Sequence, residues 1–169
     1  MHNEGLIRSL AVTYERYKDQ FRNLTLEVIA ELHDKVTEEF YAIKEQVTDI
    51  RFVPAELDDF ELQVKPSYKS LGIINISSLN NNSELFPGNL NLWFRAWHDY
   101  IHLKYDYPFT FEGEYQTYLK QAEGLSYKAK QVLFSEIVLQ TAYCVYYGMF
   151  VEKQKVVLID IDLVNPRLD

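Results

Sequence analysis

The chain is 169 residues and 20.0 kDa, enough for one compact domain with a substantial core. Its residues are 47% hydrophobic and 25% charged with only 6 Gly and 5 Pro, which excludes disordered, collagen-like and linker-rich classes. The 17 Lys and Arg against 25 Asp and Glu leave a net charge of −8, which repels phosphates and anionic headgroups, so neither nucleic acid nor a membrane surface is an expected partner. The single cysteine, Cys144, allows no internal disulfide, and the first residues show no basic flank followed by an apolar run. Both features point to a reducing, cytoplasmic setting.

From Leu10 to Val47 apolar side chains recur in ten steps over 37 residues, a mean of 3.7, with no Gly or Pro among them. That period predicts one long helix, or two joined near Asn23-Leu24-Thr25, where Asn and Thr favour a cap. Residues 1–65 hold 14 acidic and 8 basic side chains, so a net of −6 out of −8 lies there. Residues 1–48 therefore read as an acidic, amphipathic helical arm whose charges are solvated and whose stripe is a candidate surface for a protein partner or self-association. Residues 49–88 are punctuated by Pro54, Pro66, Gly72, Pro87 and Gly88 and by the run Asn80-Asn81-Asn82-Ser83. Short strands are expected there at residues 60–64 and 71–77. Asn89 or Asn91 is a candidate cap for a helix to about Leu103, Thr110 for one to about Ala122, and Ser126 for a long one ending near Gly148 or Val151. Within the last, residues 132–151 carry Glu136 as their sole formal charge, but Gln140 and three tyrosines favour a buried bundle helix over a membrane span. Residues 155–164 are rich in β-branched side chains and alternate from Ile159 to Leu163, so a second strand able to pair with the first is expected. The fold class is mainly α: a single domain of four or five bundled helices with a β element of two or three short strands. Residues 89–151 form its helical core and residues 152–169 a strand and tail.

The chemistry concentrates in Trp93-Phe94-Arg95-Ala96-Trp97-His98-Asp99-Tyr100-Ile101-His102. Histidines four apart on a helix project from one face, as a chelating pair requires, and their aromatic neighbours place that face at the edge of the interior. Glu112 and Glu114 follow at the start of the next helix. Glu136, Gln140, Tyr143 and Tyr147 make one narrow polar stripe on an otherwise apolar helix, and a lone buried carboxylate is costly unless paired or bound to a cation. His98, His102, Glu114 and Glu136 are thus the expected ligands of a divalent metal, with zinc, iron or manganese suited to imidazole and carboxylate donors. Asp99 is the candidate catalytic residue, as a base acting on metal-bound water or an acceptor that fixes a histidine tautomer. The plain alternatives are core-edge histidines bonded to Tyr or Glu, carboxylates answered by Arg95 or Lys128, and Glu112 and Glu114 as acids favoring a helix N-terminus. His33 and His2 have no second ligand at useful spacing, Cys144 reads as an inert small hydrophobe, and Asp160 and Asp162 as a solvated strand face.

The string His98-Asp99-Tyr100-Ile101-His102 is similar to the zincin motif H-E-x-x-H, with Asp one methylene shorter in place of the catalytic Glu. That resemblance implies the two histidines as ligands, with Glu136 or Glu114 as a third. Arg95-Ala96-Trp97-His98-Asp99, then His102, Phe109 or Phe111, and Gly113-Glu114, about 20 residues in all, resembles a group of small helical proteins of bacteriophages and their hosts. It implies a helical fold with His98, Asp99, His102 and Glu114 as a functional cluster. Two functions follow as expectations: a metal-dependent hydrolase or oxidoreductase, or a non-enzymatic phage accessory or interaction module with a structural metal or polar core network.

Overall fold

A computed structural model describes residues 4–168, of which the helical share makes the fold mainly α, with seven continuous helices and a two-stranded parallel sheet among the described residues. His2, to which no function was assigned, lies outside the described residues. The chain divides into two compact units: residues through Ile29 together with those from Thr110 onward, and Ala30–Phe109.

The N-terminal stripe forms two helices, α1 (Glu4–Arg16) and α2 (Leu26–Gln46). Asp19 makes the break: its Oδ1 accepts the N–H of Phe21 at 3.0 Å and that of Val156 at 2.9 Å, and Thr25 Oγ1 then accepts Val28 N–H at 3.3 Å to start α2. Buried Leu32, Val36, Phe40 and Ile43 in α2 keep the helical step.

In the first unit α1 packs on the C-terminal part of a helix that runs unbroken over residues 127–147. It comprises α6 (Tyr127–Phe134), a π-helical turn over Ser135–Leu139, and α7 (Gln140–Tyr147), and it follows α5 (Phe111–Gln121). Thr110 and Ser126 cap α5 and α6 through their hydroxyl oxygens, as their positions before the apolar runs predict. Gly148, at φ 69°, ends α7 with its N–H on Cys144 O. Large rings fill the interior: Tyr118 meets Phe134 edge-on at 5.2 Å and Tyr14 meets Tyr143 at 5.9 Å. No helix is long and apolar enough to cross a membrane among the described residues.

Residues 155–164 are not the expected strand. Their first half is extended, but side chains take the place of a ladder: Tyr14 OH accepts Lys155 N–H, Asp19 accepts Val156 N–H, Ser135 Oγ accepts Val157 N–H and Gln20 Oε1 accepts Leu158 N–H. The second half turns into helix α8 (Ile161–Leu168), started by Asp160, whose Oδ1 accepts Asp162 N–H at 3.1 Å. The alternation of Ile159 to Leu163 is therefore a capping sequence followed by helical spacing of the buried Ile161 and Leu168.

In the second unit β1 (Asp49–Val53) pairs in parallel with β2 (Ile73–Ser77), Asp49 opposite Ile73 and Val53 opposite Ser77. The partner of β2 is thus β1, a segment not singled out from sequence. Residues 60–64 are a second correction. Phe60–Val64 is a π-helical turn leading into α3 (Lys65–Leu71), because Asp59 accepts Leu62 N–H and the two buried side chains, Phe60 and Val64, are four apart. Pro66 sits in the first turn of α3, where its missing N–H costs nothing. Helices α3 and α4 (Asn89–Tyr105) pack on β2. Gly88, not Asn89 or Asn91, occupies the N-cap of α4, and the Asn91 amide donates to Asn81 Oδ1.

Candidate metal centre

Helix α4 sets both histidines. His98 and His102, one turn apart, point their Nε2 atoms at each other across 3.1 Å. His102 is fully buried, His98 half-buried. Two imidazoles on one zinc ion at about 2.0–2.1 Å and a tetrahedral angle have nitrogens about 3.3 Å apart, so the observed approach is close to a chelating geometry.

The end of α4 explains the orientation of His102. Asp106 adopts the left-handed conformation at φ 57° and Tyr107 N–H donates to His102 O at 2.9 Å, folding the chain back over the last turn. The Tyr107 carbonyl consequently lies 2.7 Å from His102 Nδ1. A carbonyl can only accept, so Nδ1 carries the proton and neutral His102 offers a bare lone pair at Nε2. This is the outer support that metal-binding histidines receive. Lys65 holds the turn through Asp106 at 2.7 Å, and this contact lowers the Asp106 carboxyl below its ordinary range. Phe109 stands edge-on to His102 at 4.8 Å, Phe60 lies 6.2 Å from it, and Phe94 lies stacked against His98 at 6.1 Å. These rings limit water around the imidazoles and strengthen any charge interaction there.

Glu114 stands half-buried in the first turn of α5 and, with His98 and His102, belongs to a group of residues that could hold a metal ion. Thr110 positions the turn, its side chain accepting Gly113 N–H and its carbonyl accepting Glu114 N–H.

The other candidates fall elsewhere. Glu136 is not among the three; it is half-buried in the π-helical turn, accepts the Gln140 amide at 3.1 Å, and is pushed up to about 7 by burial, with Asp19 adding to the rise. Asp99 is half-buried, and a step of one residue turns it about 100° around α4 from His98. The neighbouring Arg95 commits its guanidinium to the carbonyls of Ser77, Leu79 and Asn80, while the charge of Asp99 acts on it. Glu112 is exposed in the first turn of α5. His33 Nε2 bonds Leu85 O at 2.6 Å. Burial raises the Cys144 thiol above its ordinary value, in keeping with an inert side chain.

Sequence reasoning missed Tyr107 and the walls formed by Phe60 and Phe109. The available signal was Asp106-Tyr107-Pro108 just after a helix, since Asp tolerates the left-handed cap and Pro stops the helix. No protein-family model, curated protein or solved structure matches the chain.

Proposed function

We propose that this protein is a metal-dependent hydrolase that binds one divalent transition-metal ion through His98 Nε2, His102 Nε2 and a carboxylate oxygen of Glu114. The observation that carries the reading is the 3.1 Å approach of two Nε2 atoms, one of them unprotonated in neutral imidazole because Tyr107 O claims the proton on Nδ1. Two imidazoles and a carboxylate suit zinc, iron or manganese and leave coordination positions for water. Such an ion, held by these residues, would bring the acidity of bound water near neutrality. Iron in the same donor set would make oxidoreductase chemistry the function instead.

The complete burial of His102 and its ring walls favour a second reading, a non-enzymatic module in which the pair is a closed structural centre or a metal-free hydrogen bond from His98 Nε2–H to His102 Nε2. Metal analysis of protein purified without chelator separates the two. About one ion per chain, lost in His98→Ala, His102→Ala and Glu114→Gln variants that keep their helical circular dichroism, supports the metal centre. Metal-free wild-type protein that takes up none of the three ions on titration rules it out. An ion that exchanges water and binds small anions marks the catalytic form, and an inert four-coordinate shell the structural one.

A further inference from the structure

The two-stranded sheet is incomplete on one side. Strand β2 is covered by α3 and α4 and its Ile74 and Ile76 are fully buried, but β1 has β2 as its only strand partner among the described residues. Isolated two-stranded sheets are marginal, and a bare edge is a template for another strand. Ser78 N–H donates to Val53 O at 2.8 Å, so Val53, and by alternation Arg51 and Asp49, direct their backbone groups to β2. Ile50 and Phe52 then turn their N–H and C=O to the outer edge. Their side chains share the face of Ile74 and Ile76, their register partners, and Phe52 remains 37% exposed. On the opposite face Asp49 and Arg51 are solvated and pair with each other at 2.9 Å.

We infer that the outer edge of β1 is a self-association surface, on which a second copy of this chain adds its own β1 antiparallel about a two-fold axis at Ile50. The charges select this register. With Ile50 opposite Ile50 of the second copy, the two exchange backbone hydrogen bonds, and each Asp49 falls opposite the Arg51 of the other strand in a non-hydrogen-bonded pair, where side chains approach most closely. A shift that keeps the outward-facing residues opposed but moves the axis to residue 51 sets Arg51 against Arg51, and like charges directly opposite are unfavourable. The chosen register continues the apolar face as Ile74, Ile50, Ile50, Ile74 and makes a four-stranded sheet with β1 strands at its centre. The pairing is short in this register, because Phe52 falls opposite Thr48, whose N–H is already given to Gly72 O at 2.8 Å, and Val53 opposite Val47 at the end of α2. The contact is isologous, so it closes at two copies.

Sedimentation equilibrium of the full chain from 1 to several hundred micromolar tests the assignment, using three proteins. The wild type is expected to show a monomer–dimer equilibrium. Arg51→Asp places Asp opposite Asp twice and is expected to weaken dimerisation about tenfold or more. The exchange Asp49→Arg with Arg51→Asp restores opposite charges across the axis and is expected to recover the wild-type dimer. The recovery is what a variant that merely misfolds cannot give. A wild type that stays monomeric throughout, as for an edge that serves a different protein's strand, overturns the inference. So does a dimer that ignores the single charge reversal, or one that the exchange fails to rescue.

Discussion

Glu136 offers the clearest quantitative prediction. Its carboxyl is half-buried, and burial with the nearby charge of Asp19 raises it from the ordinary 4.5 to about 7. Between those values the folded chain holds a proton that the unfolded chain has lost, so stability falls as pH rises from about 4.5 to about 7 and this contribution levels off above that. The whole shift corresponds to about 3 kcal/mol, and partial solvent screening of the side chain brings the expected effect to about 1–3 kcal/mol. Glu136→Gln is nearly the shape of the protonated acid and cannot ionise. It should match the wild type in stability at pH 4.5 and exceed it by about 1–3 kcal/mol at pH 8, raising the melting temperature by about 2–12 °C. Urea unfolding followed by far-ultraviolet circular dichroism at pH 4.5, 6 and 8 reads the difference. A variant less stable than the wild type at pH 8 would refute the reasoning, because it would mean that the ionised carboxylate has a favourable partner.

Three further outcomes follow from the packing. Gly72→Ala should destabilise by about 2 kcal/mol, because φ is +67° and an added Cβ would lie 2.7 Å from Thr48 Oγ1; adding Thr48→Ala should recover part of the loss in the same denaturation assay. Ser135→Ala removes the hydroxyl that accepts Val157 N–H and donates to Lys155 O, and should cost about 1–3 kcal/mol while speeding amide exchange at Val157 by tenfold or more. Lys65→Met releases Asp106, whose charge that pair holds, and proton NMR titration should show the Asp106 carboxyl returning toward its ordinary range, with a shifted His102 ring signal reporting the loosened turn.

Helices were legible where one face carries a regular apolar step and a hydroxyl precedes it, as at Thr110 and Ser126, whose side chains make the expected cap bonds. Short apolar runs were not, because five residues such as Phe60–Val64 satisfy a strand and a helical turn equally well until Asp59 supplies the cap. Residues 155–158 failed for a different reason: their hydrogen-bond partners, Tyr14, Asp19, Gln20 and Ser135, lie far away in sequence, and no local pattern reveals that side chains will replace a ladder. The site divides along the same line. The i, i+4 spacing of His98 and His102 is a helical property, and on α4 it brings their Nε2 atoms together. Glu136 stands out in the sequence as a lone charge on an apolar helix, but its cost is met locally by Gln140, one turn on, and by a raised proton affinity. Tyr107 contributes through a backbone carbonyl, which residue identity does not encode.

X-ray absorption at the metal edge of protein loaded with one equivalent of zinc tests the metal centre most directly. Coordination by His98, His102 and Glu114 predicts a first shell of nitrogen and oxygen at about 2.0–2.1 Å with the outer-shell scattering of two imidazoles, reduced to one in His98→Ala. A shell of oxygen alone, without imidazole scattering and unchanged by that substitution, would contradict it.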